Sequence, residues 1–256
     1  MKTIGIIPVR MASSRFPGKP MVKIHGMPMV GHCYYRTCLA HGIDTAFVAT
    51  CDEEISDYAR TIGATCIMTS KSHERASDRI AEAMLKLEKE TGVLHKVVVL
   101  VQGDEPMLHP EMIDIAVTAL EENPKIMVAN GIAEIKTTVE FDDVNEIKVV
   151  VDRQMNAIYF SREPIPSRAK WDGVVPMWKQ VCIIPFRRDY LLEFNETPQT
   201  PLEKVESIDM LRVIENGGMV RMVKMHHQTL SVDTPEDLNK VRKLMRNDTL
   251  IACYGH

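Results

Sequence analysis

The most constraining feature of this 256-residue chain is the segment 96–101, which is nearly all valine and leucine. An apolar run without polar alternation is typical of a central strand that is covered on both faces of a sheet. Further strands are predicted at 4–9, 45–50 and 64–68, and helical patterns lie between them. Because strands that alternate with helices form βαβ units, the sequence predicts an α/β fold with a mostly parallel sheet.

A loop of small and cationic residues follows the first strand directly. It contains Arg10, Ser13, Arg15 and Lys19. Guanidinium groups bind phosphate oxygens in pairs and lysine adds a point charge, so the loop indicates a polyphosphate site. Its spacing matches neither a Walker A loop nor a Gly-x-Gly-x-x-Gly dinucleotide motif. The alternative is a solvated basic loop, but open α/β sheets bind ligands at the carboxyl ends of their strands, where this loop begins.

Asp104 stands just beyond the predicted central strand and directly follows Gly103. Hard carboxylate oxygens suit Mg²⁺, which would bridge to phosphates, and a glycine lets a ligand approach the backbone closely. We therefore predict that Asp104 is a magnesium ligand. The alternative is that Asp104 or Glu105 caps the helix predicted to begin near Pro110, although Asp104 precedes that helix by several residues.

The helix predicted over 77–91 has an unusual first turn. Ser77 and Asp78 are both candidate N-caps, and Arg79 follows them. A cation is out of place there because the helix dipole favours anions at this end. Arg79 therefore indicates either a nearby ligand phosphate or base, or an exposed side chain that points away.

Two capping-box patterns begin helices in the second half of the chain. The first predicts a helix over 200–215. The second joins Thr234 to Asp237, which gives both residues a structural role and leaves Asp233 to face a ligand. The last helix reaches about residue 246, and the tail beyond it is predicted to be frayed.

The alternation of strand and helix changes in the middle of the chain. Strands are predicted at 126–134, 146–151, 157–160 and 181–186, and residues 152–156 form the turn of a β-hairpin. We expect one domain over 1–256, with an inserted subregion at about 135–187. Because an apolar hairpin outside a core is often an association surface, the insertion predicts a homodimer.

Composition excludes several classes of protein. The net charge of −4 and the pI near 6.2 argue against non-specific nucleic-acid binding. The six cysteines are scattered without a Cys-x-x-Cys pair, which argues against zinc or redox motifs and favours the reducing cytoplasm. No apolar run approaches ~18 residues, so no membrane segment is expected.

Five motifs, in this order along the chain, resemble those of the 3-deoxy-manno-octulosonate (KDO) cytidylyltransferases, also called CMP-KDO synthetases. They are Pro8–Pro20, Val101–Pro106, Tyr159–Arg162, Thr200–Glu203 and Val232–Leu238. The resemblance implies a nucleotide-diphospho-sugar transferase fold, a Rossmann-like α/β/α sandwich with a dimer-forming hairpin insertion. It also implies a reaction in which CTP and an acidic sugar give a CMP-sugar and pyrophosphate, with Mg²⁺ as cofactor. The pathway, lipopolysaccharide or capsule biosynthesis, stays open.

By motif match, the resemblance also implies roles for individual residues. Arg10, Arg15 and Lys19 would hold the triphosphate, with Ser13 in the same loop, and would be catalytic together with Asp104. The nucleotide would further contact Ser77, Arg79 and Gln102. Asp104 and Asp233 would carry the metal. The acceptor would contact Arg162, Gln180, Phe186, Asp209 and Met210.

The departures from the family pattern concentrate on the acceptor side. Gln180 and Phe186 stand where the family typically has a histidine and a tyrosine, and Met210 replaces a glutamine. Sites that hydrogen-bond one substrate discriminate against analogues that leave polar groups unpaired. We therefore hypothesise that the acceptor is a modified KDO, such as an amino-substituted one, or another acidic acceptor.

Two further readings stay open. The chain could be a CTP-binding regulator without catalysis, although a mere binder does not need the metal pair Asp104 and Asp233. It could also act on a phosphorylated acceptor, which extra cations would favour. The candidate cations are Arg162, Arg168, Lys170 and Lys179.

Overall fold

The computed structural model describes residues 2–12 and 16–255, so Ser13 and Arg15 of the predicted phosphate loop lie outside the described residues. The chain forms two compact units. Unit 1 contains the residues up to Asp114 and those from His227 onward, and unit 2 runs from Ile115 to His226. The predicted insertion at about 135–187 falls within unit 2.

The sheet of unit 1 is parallel, as the alternating pattern predicts. Its strands follow the order β5-β4-β1-β6. Residues 97–101 of β6 are each 3% exposed or less, so this strand is covered on both faces. The strands of unit 1, with the short antiparallel pair β2 and β3, are β1 (Lys2–Pro8), β2 (Lys23–Ile24), β3 (Met27–Pro28), β4 (Thr45–Thr50), β5 (Cys66–Met68) and β6 (His95–Val101).

The helices of unit 1 follow the strands in βαβ fashion. In α2, Glu53 and Glu54 occupy the first turn, where negative charge suits the helix dipole. The next helix ends at Gly92 in the left-handed conformation that glycine favours. The helices are α1 (Met29–Cys38), α2 (Glu53–Thr61), α3 (Ala76–Thr91) and α4 (Pro110–Glu122), of which α4 contains the boundary between the units.

Unit 2 has a mixed sheet with the strand order β11-β7-β10-β8-β9. These neighbours are antiparallel, whereas β12 lies parallel to β7. The strand predicted over 181–186 is present as β11, and a further strand that was not predicted, β10, ends at Val181 just before it; both pair with β7. The strands are β7 (Val128–Glu134), β8 (Lys148–Val151), β9 (Ala157–Ser161), β10 (Trp178–Val181), β11 (Ile183–Arg187) and β12 (Val220–Lys224).

The predicted hairpin is confirmed as β8 and β9, which pair in antiparallel register. Its turn is organised by the Asp152 carboxylate, which accepts hydrogen bonds from the backbone N–H groups of Gln154 and Asn156 at 2.8 Å. Aspartate is favoured in turns because its side chain bonds its own backbone in this way.

The helix predicted over 200–215 is interrupted. Ser207 adopts a left-handed conformation (φ 56°) and ends the first half of the segment. The predicted glutamate contact at its start is present, since the Glu203 carboxylate accepts from the Thr200 N–H at 3.3 Å. The helices of unit 2 that follow α4 are α5 (Thr138–Asp142), α6 (Arg188–Glu196), α7 (Pro201–Glu206) and α8 (Met210–Glu215).

The chain ends on unit 1 with α9 (Pro235–Leu244) and two short 3-10 helices, Met245–Asn247 and Thr249–Cys253. The prediction of a frayed tail is wrong. Tyr254 is 7% exposed, and its hydroxyl accepts a hydrogen bond from Arg36 Nε at 2.9 Å. Arg36, which is 1% exposed, also forms an ion pair with Asp248. The tail is therefore anchored to the core of unit 1 through Tyr254 and Asp248.

No helix in the described part of the chain combines the length and the hydropathy needed to span a membrane.

Candidate active site

Lys19 is positioned by a tight turn that follows β1. Gly18 adopts a positive φ of 73°, which glycine reaches without strain, and its N–H donates to Met11 O at 3.1 Å. Pro20 then sets the backbone of the 3-10 helix Lys19–Met21. The turn therefore fixes where the ammonium group can reach.

The Lys19 ammonium joins two carboxylates from distant parts of the sequence. Lys19 Nζ lies 2.6 Å from Asp104 Oδ2 and 3.2 Å from Asp233 Oδ1. The two carboxylate oxygens therefore lie no farther apart than the sum of these distances. Backbone pairing supports the arrangement, since Val232 N–H donates to Asp104 O at 2.9 Å. Three of the residues predicted to handle phosphate and metal thus meet at one point of unit 1.

Asp233 reaches this point because the residues after it begin α9. Thr234 accepts from Asp237 N–H at 3.2 Å, and the Asp237 carboxylate accepts from Thr234 N–H at 3.1 Å. This is the predicted capping box, and it is confirmed. With Thr234 and Asp237 engaged in the cap, the Asp233 carboxylate is the one that reaches Lys19.

The electrostatics of this cluster favour a bound cation. Burial alone would lower the pKa of Lys19, but the Asp104 and Asp233 carboxylates outweigh burial, and the pKa is raised. Lys19 therefore stays charged at neutral pH. One ammonium beside two carboxylates leaves an excess of one negative charge, and carboxylate oxygens are the ligands that Mg²⁺ prefers. The donor set at Asp104 and Asp233 fits this metal.

Gly103 lets the ends of β1 and β6 approach each other closely. A Cβ atom on Gly103 would lie 2.1 Å from Val9 Cγ1 and 3.3 Å from Ile7 Cγ2. The sequence predicts that this glycine lets a ligand approach the backbone, and the structure shows that the absence of a side chain also allows the two strand ends to pack. This packing sets the position of Asp104, the next residue.

Arg10 lies beside the loop that precedes α3. Arg10 Nη1 donates to His73 O at 3.5 Å, and the Arg10 side chain is exposed. His73 in turn bonds the Glu82 carboxylate, which also accepts from Ser70 N–H at 2.8 Å. Glu82 was not predicted as a functional residue. A glutamate inside a helix has no local sequence signal to show that its carboxylate bonds the loop before α3.

Arg79 is buried, so the alternative of an exposed side chain that points away is excluded. It is 3% exposed and donates to Thr69 Oγ1 and to Ser70 O. These bonds fix the polypeptide that leads into α3. Ser77, also buried, lies in the first turn of α3 and is not its N-cap, since the helix already begins at Ala76. Their predicted contacts with a nucleotide stay predictions.

Gln102 directly follows β6 and is half-buried, next to the close-packed Gly103. The described nucleotide-side candidates therefore all belong to unit 1: Arg10, Lys19, Ser77, Arg79, Gln102, Asp104 and Asp233.

The predicted acceptor residues all belong to unit 2. Two backbone carbonyl oxygens fix the Arg162 side chain, since its Nε donates to Glu206 O at 2.8 Å and its Nη1 to Val144 O at 3.0 Å. Asp209 directly precedes α8. Phe186 and Met210 are 0% and 1% exposed and so are core residues of this unit.

Gln180 belongs to a buried amide network whose direction the backbone dictates. Asn130 Nδ2 donates to Val181 O at 2.7 Å and to Gly131 O at 3.1 Å. The Asn130 Oδ1 atom must therefore face Gln180, and it accepts from Gln180 Nε2 at 2.5 Å. The other polar atom of the Gln180 amide is a carbonyl oxygen, which can only accept hydrogen bonds.

The chain is similar to known cytidylyltransferases. The family model described as "Cytidylyltransferase" matches residues 4–225. A 3-deoxy-manno-octulosonate cytidylyltransferase of Geobacter sulfurreducens is 40% identical over 256 residues, which cover 96% of this chain and 100% of the relative. A mitochondrial one of Arabidopsis thaliana is 40% identical, with 96% of this chain and 83% of the relative covered.

The chain belongs to the 3-deoxy-manno-octulosonate cytidylyltransferase family. It is therefore a nucleotidyltransferase, as its motifs predict.

Solved structures confirm the fold of this KDO cytidylyltransferase family member. A CMP:2-keto-3-deoxy-manno-octonic acid synthetase solved in complex with CTP matches with a TM-score of 0.87 and 34% identity, covering 96% of this chain and 98% of that one. A glucose-1-phosphate thymidylyltransferase from Bacillus anthracis shares the fold with a TM-score of 0.68 at 17% identity, covering 96% of both chains. The predicted Rossmann-like nucleotidyltransferase fold is thus confirmed.

Proposed function

We propose that this protein transfers the cytidylyl group of CTP to KDO, with Mg²⁺ as cofactor, and releases pyrophosphate. The observation that carries the proposal is the convergence of Lys19 with Asp104 and Asp233 in a member of this family. The relatives at about 40% identity bear the name of this activity, and a structural relative was solved with CTP.

In the proposed reaction, an acceptor hydroxyl oxygen attacks the α-phosphorus of CTP in line with the leaving group. A bond forms between that oxygen and the phosphorus, and the bond to the bridging oxygen breaks. Pyrophosphate leaves with the bonding electron pair, and the hydroxyl proton passes to solvent. Transfers of this kind depend mostly on positioning and on neutralisation of charge. The protein must therefore hold the triphosphate and offset its charge.

The residues of unit 1 have the chemistry for this task. Lys19, with its raised pKa, stays cationic and stabilises the charge that grows on the leaving pyrophosphate. Arg10 and Arg15 add guanidinium groups for the phosphate oxygens. Asp104 and Asp233 would hold Mg²⁺, which screens the phosphates and lowers the pKa of a hydroxyl bound to it.

The test is product formation from CTP and KDO. We expect CMP-KDO, identified by mass spectrometry, together with one equivalent of pyrophosphate. Both should disappear when a chelator removes divalent cations and return when Mg²⁺ is added in excess. A folded protein that binds CTP but forms no CMP-KDO would contradict the proposal and favour the regulator reading. Activity that survives chelation would contradict the metal role.

The direction of the amide network at Gln180 favours a second candidate, an amino-substituted KDO as acceptor. Asn130 takes one amide hydrogen of Gln180, and the Gln180 carbonyl oxygen can only accept. An acceptor that presents an ammonium group would satisfy this oxygen with a charge-assisted hydrogen bond, which is stronger than a neutral one. The burial of Phe186 and Met210 leaves Gln180 as the departure from the family pattern with the clearest polar consequence.

Competition between the two acceptors separates the candidates. If Gln180 selects an amine, kcat/KM for amino-substituted KDO should exceed kcat/KM for KDO. In Gln180→His, the ratio of these two kcat/KM values should move closer to one. A higher kcat/KM for KDO would reject the second candidate and leave the first intact.

A further inference from the structure

Three metal-ligating side chains meet at the two boundaries of unit 1 along the sequence, and none of them belongs to the residues that the proposed reaction uses. They are His109 and Glu111, just before unit 2 begins, and His227, just after it ends. Each offers one ligand atom, and these atoms all lie within 4.8 Å of one another. The proposed chemistry assigns none of them a role.

The geometry brings the two imidazoles as close as neighbouring ligands of one metal ion. The His109 and His227 rings are stacked, with centroids 3.6 Å apart and an angle of 11° between their planes. Two nitrogens on a tetrahedral Zn²⁺ stand roughly 3.3 Å apart, given bonds of about 2.0–2.1 Å. Because an imidazole binds a metal in the plane of its ring, the two rings must tilt out of the stack for both nitrogens to reach one ion.

Glu111 completes a mixed nitrogen and oxygen donor set. Glu111 Oε2 lies 2.7 Å from His227 Nε2, so the imidazole N–H and the carboxylate already point at each other. The Glu111 side chain is 58% exposed and that of His227 is 36% exposed, so both can shift by the distance that ligation requires. A metal would displace the bonding proton of the imidazole, as metal binding to histidine normally does.

A second observation points to a ligand at this cluster. Within the described residues, His109 Nδ1 is a buried ring nitrogen that has no hydrogen-bond partner. Leaving such an atom unsatisfied is costly, and most buried polar atoms in native proteins have a partner. A bound metal, with the reorientation of the ring that it brings, offers a partner for the imidazole that the polypeptide does not supply.

We propose that His109, Glu111 and His227 form a binding site for a divalent transition metal of the Zn²⁺ class, separate from the carboxylate pair. Two imidazoles and one carboxylate form a donor set typical of zinc, with a fourth position left for water. Magnesium prefers all-oxygen sites, so it would choose Asp104 and Asp233 instead. The two sites should therefore differ in metal preference.

A metal at this site would stabilise the part of unit 1 that contains Asp104 and Asp233. The same two stretches of chain are already joined, since Thr229 Oγ1 donates to the Glu105 carboxylate at 2.9 Å and Val232 N–H donates to Asp104 O. A metal held by the 109–111 stretch and by His227 would add a third link between them. Its binding should stabilise the fold without taking part in the chemistry.

Co²⁺ titration of the whole protein tests the proposal. Cobalt reports its ligands by its visible spectrum, and thiolate ligation by any of the six cysteines adds a charge-transfer band that separates it from nitrogen and oxygen ligation. We expect one equivalent of Co²⁺ with a nitrogen and oxygen spectrum, displaced by Zn²⁺. Asp104→Asn should keep this signal, because the variant alters only the carboxylate pair.

Variants at the cluster supply the decisive comparison. His227→Ala and His109→Ala should each weaken Zn²⁺ binding at least about 30-fold, since loss of even an outer-shell partner costs 10–100-fold. The matched control is His226→Ala, which removes the exposed neighbouring histidine and should bind like the wild type. Zn²⁺ at 100 times its Kd should raise the Tm of the wild type by roughly 5 °C, but not that of His227→Ala.

Equal Zn²⁺ affinity in the wild type and His227→Ala would overturn the proposal. So would the absence of stoichiometric binding in the wild type, which would identify the cluster as a stacked, hydrogen-bonded pair. If His109→Ala fails to fold, the half-exposed His227 still decides the outcome.

Discussion

Gly103 and Val9 show how one missing side chain fixes the position of a functional residue. The Cβ of an alanine at 103 would lie 2.1 Å from Val9 Cγ1, well inside any real contact. We expect Gly103→Ala to destabilise the protein by about 1–3 kcal/mol through overpacking, and to lower activity by displacing Asp104. Urea unfolding measures the loss.

The double variant Gly103→Ala/Val9→Ala isolates this contact. Because Val9→Ala makes room for the new methyl group, the double variant should be more stable than the sum of the two single effects predicts. Additive effects would show that the crowding between these two residues is not the cause.

Glu82 should make the stability of the protein depend on pH. Although burial opposes it, hydrogen bonds from Lys86, Ser70 and His73 lower the pKa of Glu82 from 4.5 to about 2. A lowered carboxyl pKa contributes stability that is present above pH 4.5 and is lost as the pH falls toward 2. The stability advantage of the wild type over Glu82→Gln, about 1 kcal/mol at pH 6 for a partly exposed group, should therefore shrink as the pH falls to 3.5.

Urea midpoints of both proteins from pH 6 to 3.5 check this expectation. The matched control is Glu90→Gln on the exposed face of the same helix. A gap between wild type and Glu82→Gln that stays constant across this pH range would mean that Glu82 does not hold the loop as a carboxylate.

Part of the site could be predicted residue by residue, and part could not. Lys19 lies in the loop after the first strand, Asp104 follows the central strand, and Asp233 precedes a helix whose cap uses other residues. Because the carboxyl ends of parallel strands meet at one edge of a sheet, these positions indicated a common site. Glu82 and Val9 could not be found in this way, because their roles depend on contacts across the fold that no spacing records.

At the scale of elements, the C-terminal segment is the largest departure from expectation. A segment beyond the last predicted helix is expected to fray, yet Tyr254 stacks on Tyr35 with centroids 5.3 Å apart and bonds Arg36. His32 Nε2 donates to Ile24 O, so its Nδ1 accepts from the Tyr254 hydroxyl. The anchor lies more than 200 residues away in sequence, beyond the reach of local patterns.

Two substitutions at Tyr254 separate packing from hydrogen bonding. Tyr254→Phe keeps the stack but leaves Arg36 Nε without its acceptor, and should cost roughly 1.5–3 kcal/mol. Tyr254→Ala also opens a cavity and should cost about 3–5 kcal/mol. Thermal unfolding measures both. A Tyr254→Ala variant as stable as the wild type would show that the tail is dispensable.

Other element boundaries were predictable where a local signal sets them and were not predictable where packing sets them. The parallel strands of unit 1 and the capping box of α9 were predictable, because period and cap chemistry are local signals. The separate strand β10 and the break at Ser207 were not, since both depend on how the segments pack within unit 2.

At the scale of the whole molecule, we propose that the protein is a homodimer that associates through the hairpin of β8 and β9. β9 ends the strand order of unit 2, and its Ile158 is 54% exposed. An exposed edge with an apolar side chain is typical of an association surface. We expect a dimer by light scattering and a monomer for Ile158→Glu.

The control for this prediction is Val205→Glu, at an apolar residue of α7 that is 81% exposed. This variant should remain dimeric. A wild type that is monomeric at micromolar concentration, or an Ile158→Glu variant that stays dimeric, would remove the hairpin as the interface.

The measurement that tests the account most directly is the rate of pyrophosphate release from CTP and KDO by Asp104→Asn. Asparagine keeps the shape of the side chain but removes the charge that pairs with Lys19 and would bind Mg²⁺. We expect a fall in kcat of at least about 100-fold in a variant that remains folded, since metal ligands matter at least as much as outer-shell partners. Asp57→Asn, at an exposed surface carboxylate, should match the wild type. A kcat for Asp104→Asn within a few-fold of the wild type would contradict the account.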